Sequence, residues 1–174
     1  MLNLEGERTS ATSRQVFVVD DDEDVCDLLE AVLGCEGFPV TSFADGDALL
    51  RALGPQPPVC VFLDLVMPRR SGLEILKELR GRQFWAPVVM MSARDDTPLV
   101  VEAMKSGALD YLTKPFERHA PTARVREALD VWSCRVPGDG TVPAYAVDSD
   151  EWVKVSPSEK GALSLMRLMD FAQK

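Results

Sequence analysis

Three adjacent aspartates, Asp20, Asp21 and Asp22, follow directly on the apolar run Val16–Val19. Carboxylates this close raise one another's pKa and repel, so the cluster calls for a compensating cation. Three more polar residues share its placement at the end of an apolar run. Asp64 closes "VCVFLD", Ser92 closes "VVMMS" and Lys114 follows "DYLT". Two linked kinds of chemistry suit this set. Several carboxylates offer the oxygen ligands of a hard divalent cation, Mg²⁺ or Mn²⁺. A carboxylate beside such an ion is also prepared to attack phosphorus, because the metal neutralises the oxygens of the loose transition state. Lys114 and the Ser92 hydroxyl are then suited to grip phosphoryl oxygens.

The elements that must position these groups can be read from periodicity. Short apolar runs recur at 15–19, 39–43, 59–63, 88–91 and 109–112. Three of them ("VFVV", "VCVFL", "VVMM") are apolar at successive positions, as in strands covered on both faces. Segments between them have helical spacing: Val25, Leu28, Leu29, Val32 and Leu33 in 24–35; Leu73, Ile75, Leu76 and Leu79 in 71–82; Leu99, Val100, Ala103 and Met104 in 97–106. A last helix is expected over 121–132. Strands alternating with helices in units this short predict a doubly wound α/β domain, a five-stranded parallel sheet spanning about 15–133. The crevice of such a sheet lies at the carboxyl ends of its strands, which is where Asp20, Asp21, Asp64, Ser92 and Lys114 fall.

The flanks read differently. Residues 1–14 lack periodicity and are expected to form a flexible tail. Residues 134–155 are rich in turn formers and predict a linker or a hairpin. Residues 156–174 predict a C-terminal helix, with Ser156 as N-cap, Pro157 at the first helical position and Glu159 three after the cap. The net charge of the 174 residues is -9, which argues against direct nucleic-acid binding by this chain. Cys26, Cys35, Cys60 and Cys134 form no CxxC pair, and His119 is the single histidine, a pattern that argues against a zinc site. Reduced, mostly buried cysteines, no signal-peptide pattern and no apolar run near ~20 residues point to a cytoplasmic protein without membrane contact.

The segments "VVDDDED", "FLDLVMPRRSGLEIL", "VVMMSARDD" and "GALDYLTKPFE" together resemble the receiver domain of bacterial two-component response regulators, a flavodoxin-like fold. The intervals are 43 residues from Asp21 to Asp64, 28 more to Ser92 and 22 more to Lys114. The resemblance implies that Asp64 accepts a phosphoryl group from a sensor histidine kinase or a phosphotransfer protein. It implies a Mg²⁺ (or Mn²⁺) site made by Asp21, Asp64 and the backbone carbonyl of Val66, with Asp20 acting through water. Ser92 and Lys114 would contact the phosphoryl oxygens, Ser92 and Tyr111 would form a switch pair, and the Lys114–Pro115 peptide would be cis. On its own, Tyr111 at a strand end reads more often as half-buried packing. Asp22, just before a helix, reads as an N-cap. Arg69 and Arg70 read as solvated loop charges, and Pro121 as the start of the last helix.

Two positions bear on the lifetime of a phosphoryl group. Val66, two after Asp64, and Arg94, two after Ser92, flank the route of a hydrolytic water. Apolar Val66 cannot orient one, so slow self-dephosphorylation is expected, nearer hours than seconds. The implied function is a phosphorylation-controlled switch rather than an enzyme with a separate substrate. Its output surface is expected at helix 97–106, strand 109–112 and helix 121–132, pairing with a second copy or a partner; the C-terminal extension is another candidate for dimer contacts. The alternative is the receiver part of a longer DNA-binding transcription regulator. An Asp-nucleophile phosphohydrolase of the haloacid-dehalogenase type fits less well, since it needs a second Asp where Val66 stands.

Overall fold

Buried strands carry apolar side chains at every position only when both faces of the sheet are covered, and both are covered here. The computed structural model describes residues 14–54, 57–93, 97–133, 142–146 and 151–155. Its elements run β1 (Val16–Val19), α1 (Glu23–Cys35), β2 (Val40–Phe43), α2 (Gly46–Ala52), β3 (Cys60–Asp64) and α3 (Gly72–Gly81). There follow β4 (Val88–Ser92), α4 (Thr97–Lys105), β5 (Asp110–Thr113) and α5 (His119–Ser133). The five strands form one parallel sheet in the order β2-β1-β3-β4-β5. A separate antiparallel pair joins β6 (Val142–Ala146) to β7 (Glu151–Val155). The expectations for residues 1–13, for Arg94 and Cys134, and for a helix at 156–174 lie outside the described residues.

Alternation along each strand divides the core in two. Val16, Val18, Cys60, Phe62, Val89, Met91 and Leu112 pack with Cys26, Leu29 and Leu33 of α1 and Val125 and Ala128 of α5. Val19, Val61, Leu63, Val88 and Met90 pack on the other side with α2, α3 and Ala103 of α4. The opposite pointing of successive side chains produces this split. It explains why the runs are apolar at every position.

Helix starts follow from capping. Asp22 accepts a hydrogen bond from the Asp24 amide at 3.0 Å and is the N-cap of α1. Asp45 caps α2 through the Ala48 amide, and Ser71 and Glu74 form a reciprocal capping box on α3. Each such cap contributes ~1 kcal/mol. Helix α2 has no counterpart in the periodic pattern: seven residues are too few for a stripe, and Asp45 is its main signal. Helix α5 begins at His119, so Pro121 lies within its first turn rather than at its start. A proline is tolerated there because amides of the first turn lack intrahelical acceptors.

The crevice is built by backbone bonds that continue past the strands. The Asp20 amide donates to Phe43 O (3.1 Å), Leu65 to Met91 O (2.7 Å) and Lys114 to Ser92 O (2.7 Å). The chain therefore leaves these strands in register, and the residues just beyond them are fixed in space.

Candidate functional site

Strands β1 and β3 are neighbours at the point where the strand order reverses, and Asp20 and Asp64 sit at their carboxyl ends. Both are buried, 2% and 5% exposed, whereas Asp21 is exposed at the rim. One carboxylate oxygen from each of Asp20, Asp21 and Asp64 lies within 4.8 Å of the other two. Lys114 reaches across from the end of β5. Its Nζ donates to Asp20 Oδ2 at 2.5 Å and lies 2.9 Å from Asp64 Oδ1. Asp20 Oδ1 accepts from the Asp22 amide at 3.0 Å.

The electrostatics are unbalanced: three carboxylates face one ammonium. Burial raises the Asp64 pKa, its hydrogen bond from Lys114 lowers it, and the neighbouring Asp20 and Asp21 add to the rise; the net direction is up. Burial opposes the Lys114 charge, but the hydrogen bonds to Asp20 and Asp64 outweigh it and hold the ammonium above its ordinary value. The donor set is all oxygen, partly buried and short of positive charge. It fits a hard divalent cation.

The remaining predicted residues fall into place unequally. Ser92 is 1% exposed at the end of β4 and pairs across the ladder with Thr113, next to Lys114. Tyr111 pairs with Met90, further down β5, and is half-buried against the core on the α2–α4 side. Val66 is 62% exposed, two residues beyond Asp64. The Lys114–Pro115 peptide is cis. Arg94 is outside the described residues.

Sequence reasoning missed two supports of this corner. A Cβ on Gly72, the first residue of α3, would stand 2.0 Å from the carbonyl oxygen of Asp64. Only glycine lets α3 start this close to the end of β3; the Ser71 cap just ahead of it was the available signal. Arg69 is exposed as expected but ion-paired, and Arg70 is two-thirds buried and paired twice. Arg69 Nη2 lies 2.9 Å from Asp45 Oδ2, and Arg70 reaches Asp47 Oδ1 at 2.8 Å and Glu78 Oε2 at 2.5 Å. Asp45 and Asp47 lie 23 or more residues away in sequence, at the start of a helix that periodicity does not reveal, which accounts for the difference.

Residues 16–126 match the response regulator receiver domain family. The chain is 42% identical over 118 residues to the transcriptional regulatory protein FixJ of Bradyrhizobium diazoefficiens, covering 68% of this chain and 58% of that one. Among solved structures, a Francisella response regulator receiver domain aligns with a TM-score of 0.63 and 32% identity, over 67% of this chain and 96% of that one. The receiver domain of NtrX from Brucella abortus aligns with a TM-score of 0.62 and 33% identity, over 66% of this chain and 98% of that one. The chain spans about half the length of the curated relatives it matches. Among the described residues no helix is long and apolar enough to cross a membrane. A five-stranded sheet in this order, acids and a lysine at its strand ends, and a family match over most of the described sheet agree: the chain belongs to the response regulator receiver domain family.

Proposed function

We propose that Asp64 is the phosphoacceptor of a two-component switch, taking its phosphoryl group from a phosphohistidine on a sensor kinase or phosphotransfer protein. The observation that carries this reading is the placement of Lys114 Nζ against Asp20 and Asp64 within a trio of carboxylates. Asp64 supplies the attacking oxygen. As its bond to phosphorus forms, the phosphorus–nitrogen bond of the donor breaks and the imidazole keeps the electron pair. Lys114 stands beside the acceptor oxygen and offsets the charge that arrives. Asp20, Asp21, Asp64 and the Val66 carbonyl would hold Mg²⁺ or Mn²⁺, which neutralises phosphoryl oxygens when bound.

The new group adds ~-1.5 to -2 charges next to Ser92 and Lys114. Ser92 is suited to donate to it, and Tyr111 lies on the same side of the sheet as Ala103 of α4. That arrangement supports a change in the surface made by α4, β5 and α5, read out by a second copy or a partner. Relatives in which the matched segment is about half of the protein are named as DNA-binding response regulators, which supports the alternative that the unit is the receiver part of such a protein.

Incubation with ³²P-labelled acetyl phosphate and Mg²⁺ is expected to label the chain at one site, and EDTA to prevent it. Absence of label under both conditions overturns the assignment. Apolar, exposed Val66 offers no group to orient a water, so the label is expected to decay over hours once the donor is removed. Decay within seconds contradicts that role.

The unbalanced charge gives a second test, independent of phosphorylation. A ligand that binds only the folded state at a hundredfold excess over its Kd stabilises by about 2.7 kcal/mol. For a domain of this size Mg²⁺ should then raise the melting temperature by about 10 °C, reversed by EDTA. An unchanged melting temperature across a Mg²⁺ titration removes the metal from the site.

A further inference from the structure

The segment 65–71 joins the acceptor strand to α3 and has no regular structure of its own. Its ends are fixed by backbone bonds, Leu65 N to Met91 O (2.7 Å) and Gly72 N to Leu65 O (3.0 Å). Between those ends lies a strained residue: Arg69 sits at φ 70°, a left-handed conformation that a residue with a Cβ avoids. Such a conformation persists only where surrounding contacts over-determine it.

The Arg70 amide donates to Pro68 O at 2.8 Å and closes the turn around Arg69, and ionic contacts from two helices hold that turn in place. The two terminal nitrogens of Arg70 divide between Asp47 in the first turn of α2 and Glu78 in α3. Arg69 adds Asp45, the α2 N-cap, which already accepts from the Ala48 amide through its other oxygen. Arg82 lies on the far side of Glu78 and pairs with it as well. An isolated surface pair contributes little, but a network that shares a forked guanidinium holds geometry. Arg70 is two-thirds buried and joins three segments: the loop, α2 and α3.

We infer that Arg70 is a positioning residue for the metal site, fixing the loop that carries Val66 and thereby setting the affinity for the divalent cation. The inference rests on the metal reading above and adds a residue that touches neither the ion nor the phosphoryl group. A lysine cannot replace it fully, because one ammonium has no fork to bridge Asp47 and Glu78. Outer partners that orient a metal ligand typically change affinity by about 10–100-fold when lost. Acting through a loop, Arg70 is expected at the lower end, about tenfold.

The test is isothermal titration of the full chain with Mg²⁺ alone, comparing wild type with Arg70→Met, Arg70→Lys and Asp47→Asn. Arg70→Met is expected to weaken Mg²⁺ binding about tenfold, with Arg70→Lys and Asp47→Asn in between. The melting temperature of the metal-free Arg70→Met protein is expected to move by only ~2 °C, since a surface network adds little to global stability. A wild-type Kd in Arg70→Met overturns the positioning role while leaving the metal reading intact. If Arg70→Met does not fold, Asp47→Asn takes its place, and an unchanged Kd in that variant overturns the role. No saturable binding by wild type overturns the metal reading and this inference together.

Discussion

Asp64→Asn is expected to reduce phosphoryl labelling to background and, in the absence of metal, to make the protein more stable. The two effects have separate causes. Labelling fails because an amide oxygen is not a nucleophile toward phosphorus. Stability rises because burial and the nearby Asp20 and Asp21 disfavour the charged form of Asp64, although Lys114 partly compensates. The sign follows from linkage: a carboxyl whose folded pKa is raised binds its proton more tightly in the folded state. Its ionisation therefore costs nothing below the unfolded value near pH 4. The cost grows as pH rises through the folded value and is complete above it. Asparagine keeps the shape and removes the charge, so the gain belongs at neutral pH and should vanish in acid. An amount of ~1 kcal/mol corresponds to a rise of roughly 4 °C by differential scanning calorimetry. Added Mg²⁺ should narrow or reverse the gap, because the variant has lost one of three carboxylates. Retained labelling would move the acceptor to another residue. A less stable metal-free variant would mean that the Lys114–Asp64 pair outweighs the burial of charge.

That opposition of effects was partly legible from residue order alone. Strands β1, β3 and β4 announce themselves because a sheet covered on both faces leaves no polar position in the run. The crevice is legible for the same reason, since a doubly wound sheet must gather whatever stands at its carboxyl ends. Topology alone thus brings together Asp20 and Lys114, 94 residues apart. The supports of the site were not legible in this way. Helix α2 is too short to display a stripe, and without it Asp45 and Asp47 had no location. Arg69 and Arg70 consequently read as loop charges, although they reach those acids and Glu78. Gly72 carries no pattern because its role is to leave room. Periodicity reports which face of an element is buried and says nothing about how closely two backbones approach.

The approach at Gly72 leads to the second large expected effect. Gly72→Ala should destabilise the protein by about 3 kcal/mol, and the folded fraction should take up phosphoryl groups and Mg²⁺ poorly. Helix propensity alone predicts the opposite sign, since alanine in place of glycine within a helix gains about 0.5–1 kcal/mol. The added Cβ would lie 2.0 Å from Asp64 O and 2.9 Å from Asp64 C. Both are backbone atoms and no side-chain rotation can clear them. Either the end of β3 moves, displacing Asp64 from Lys114, or α3 withdraws and pulls on the short loop 65–71 that joins it to Asp64. Gly46 in α2 is an internal control, because its Cβ would meet Ile75 Cγ1 at 2.3 Å, which is a side-chain contact. Gly46→Ala is therefore expected to cost less, because the Ile75 side chain can shift, and to leave labelling intact. Trimming a neighbouring side chain should not restore Gly72→Ala. Urea unfolding of the variants, with labelling by acetyl phosphate measured on each, separates the cases. Stability equal to or above wild type in Gly72→Ala would show that the start of α3 can yield without moving Asp64.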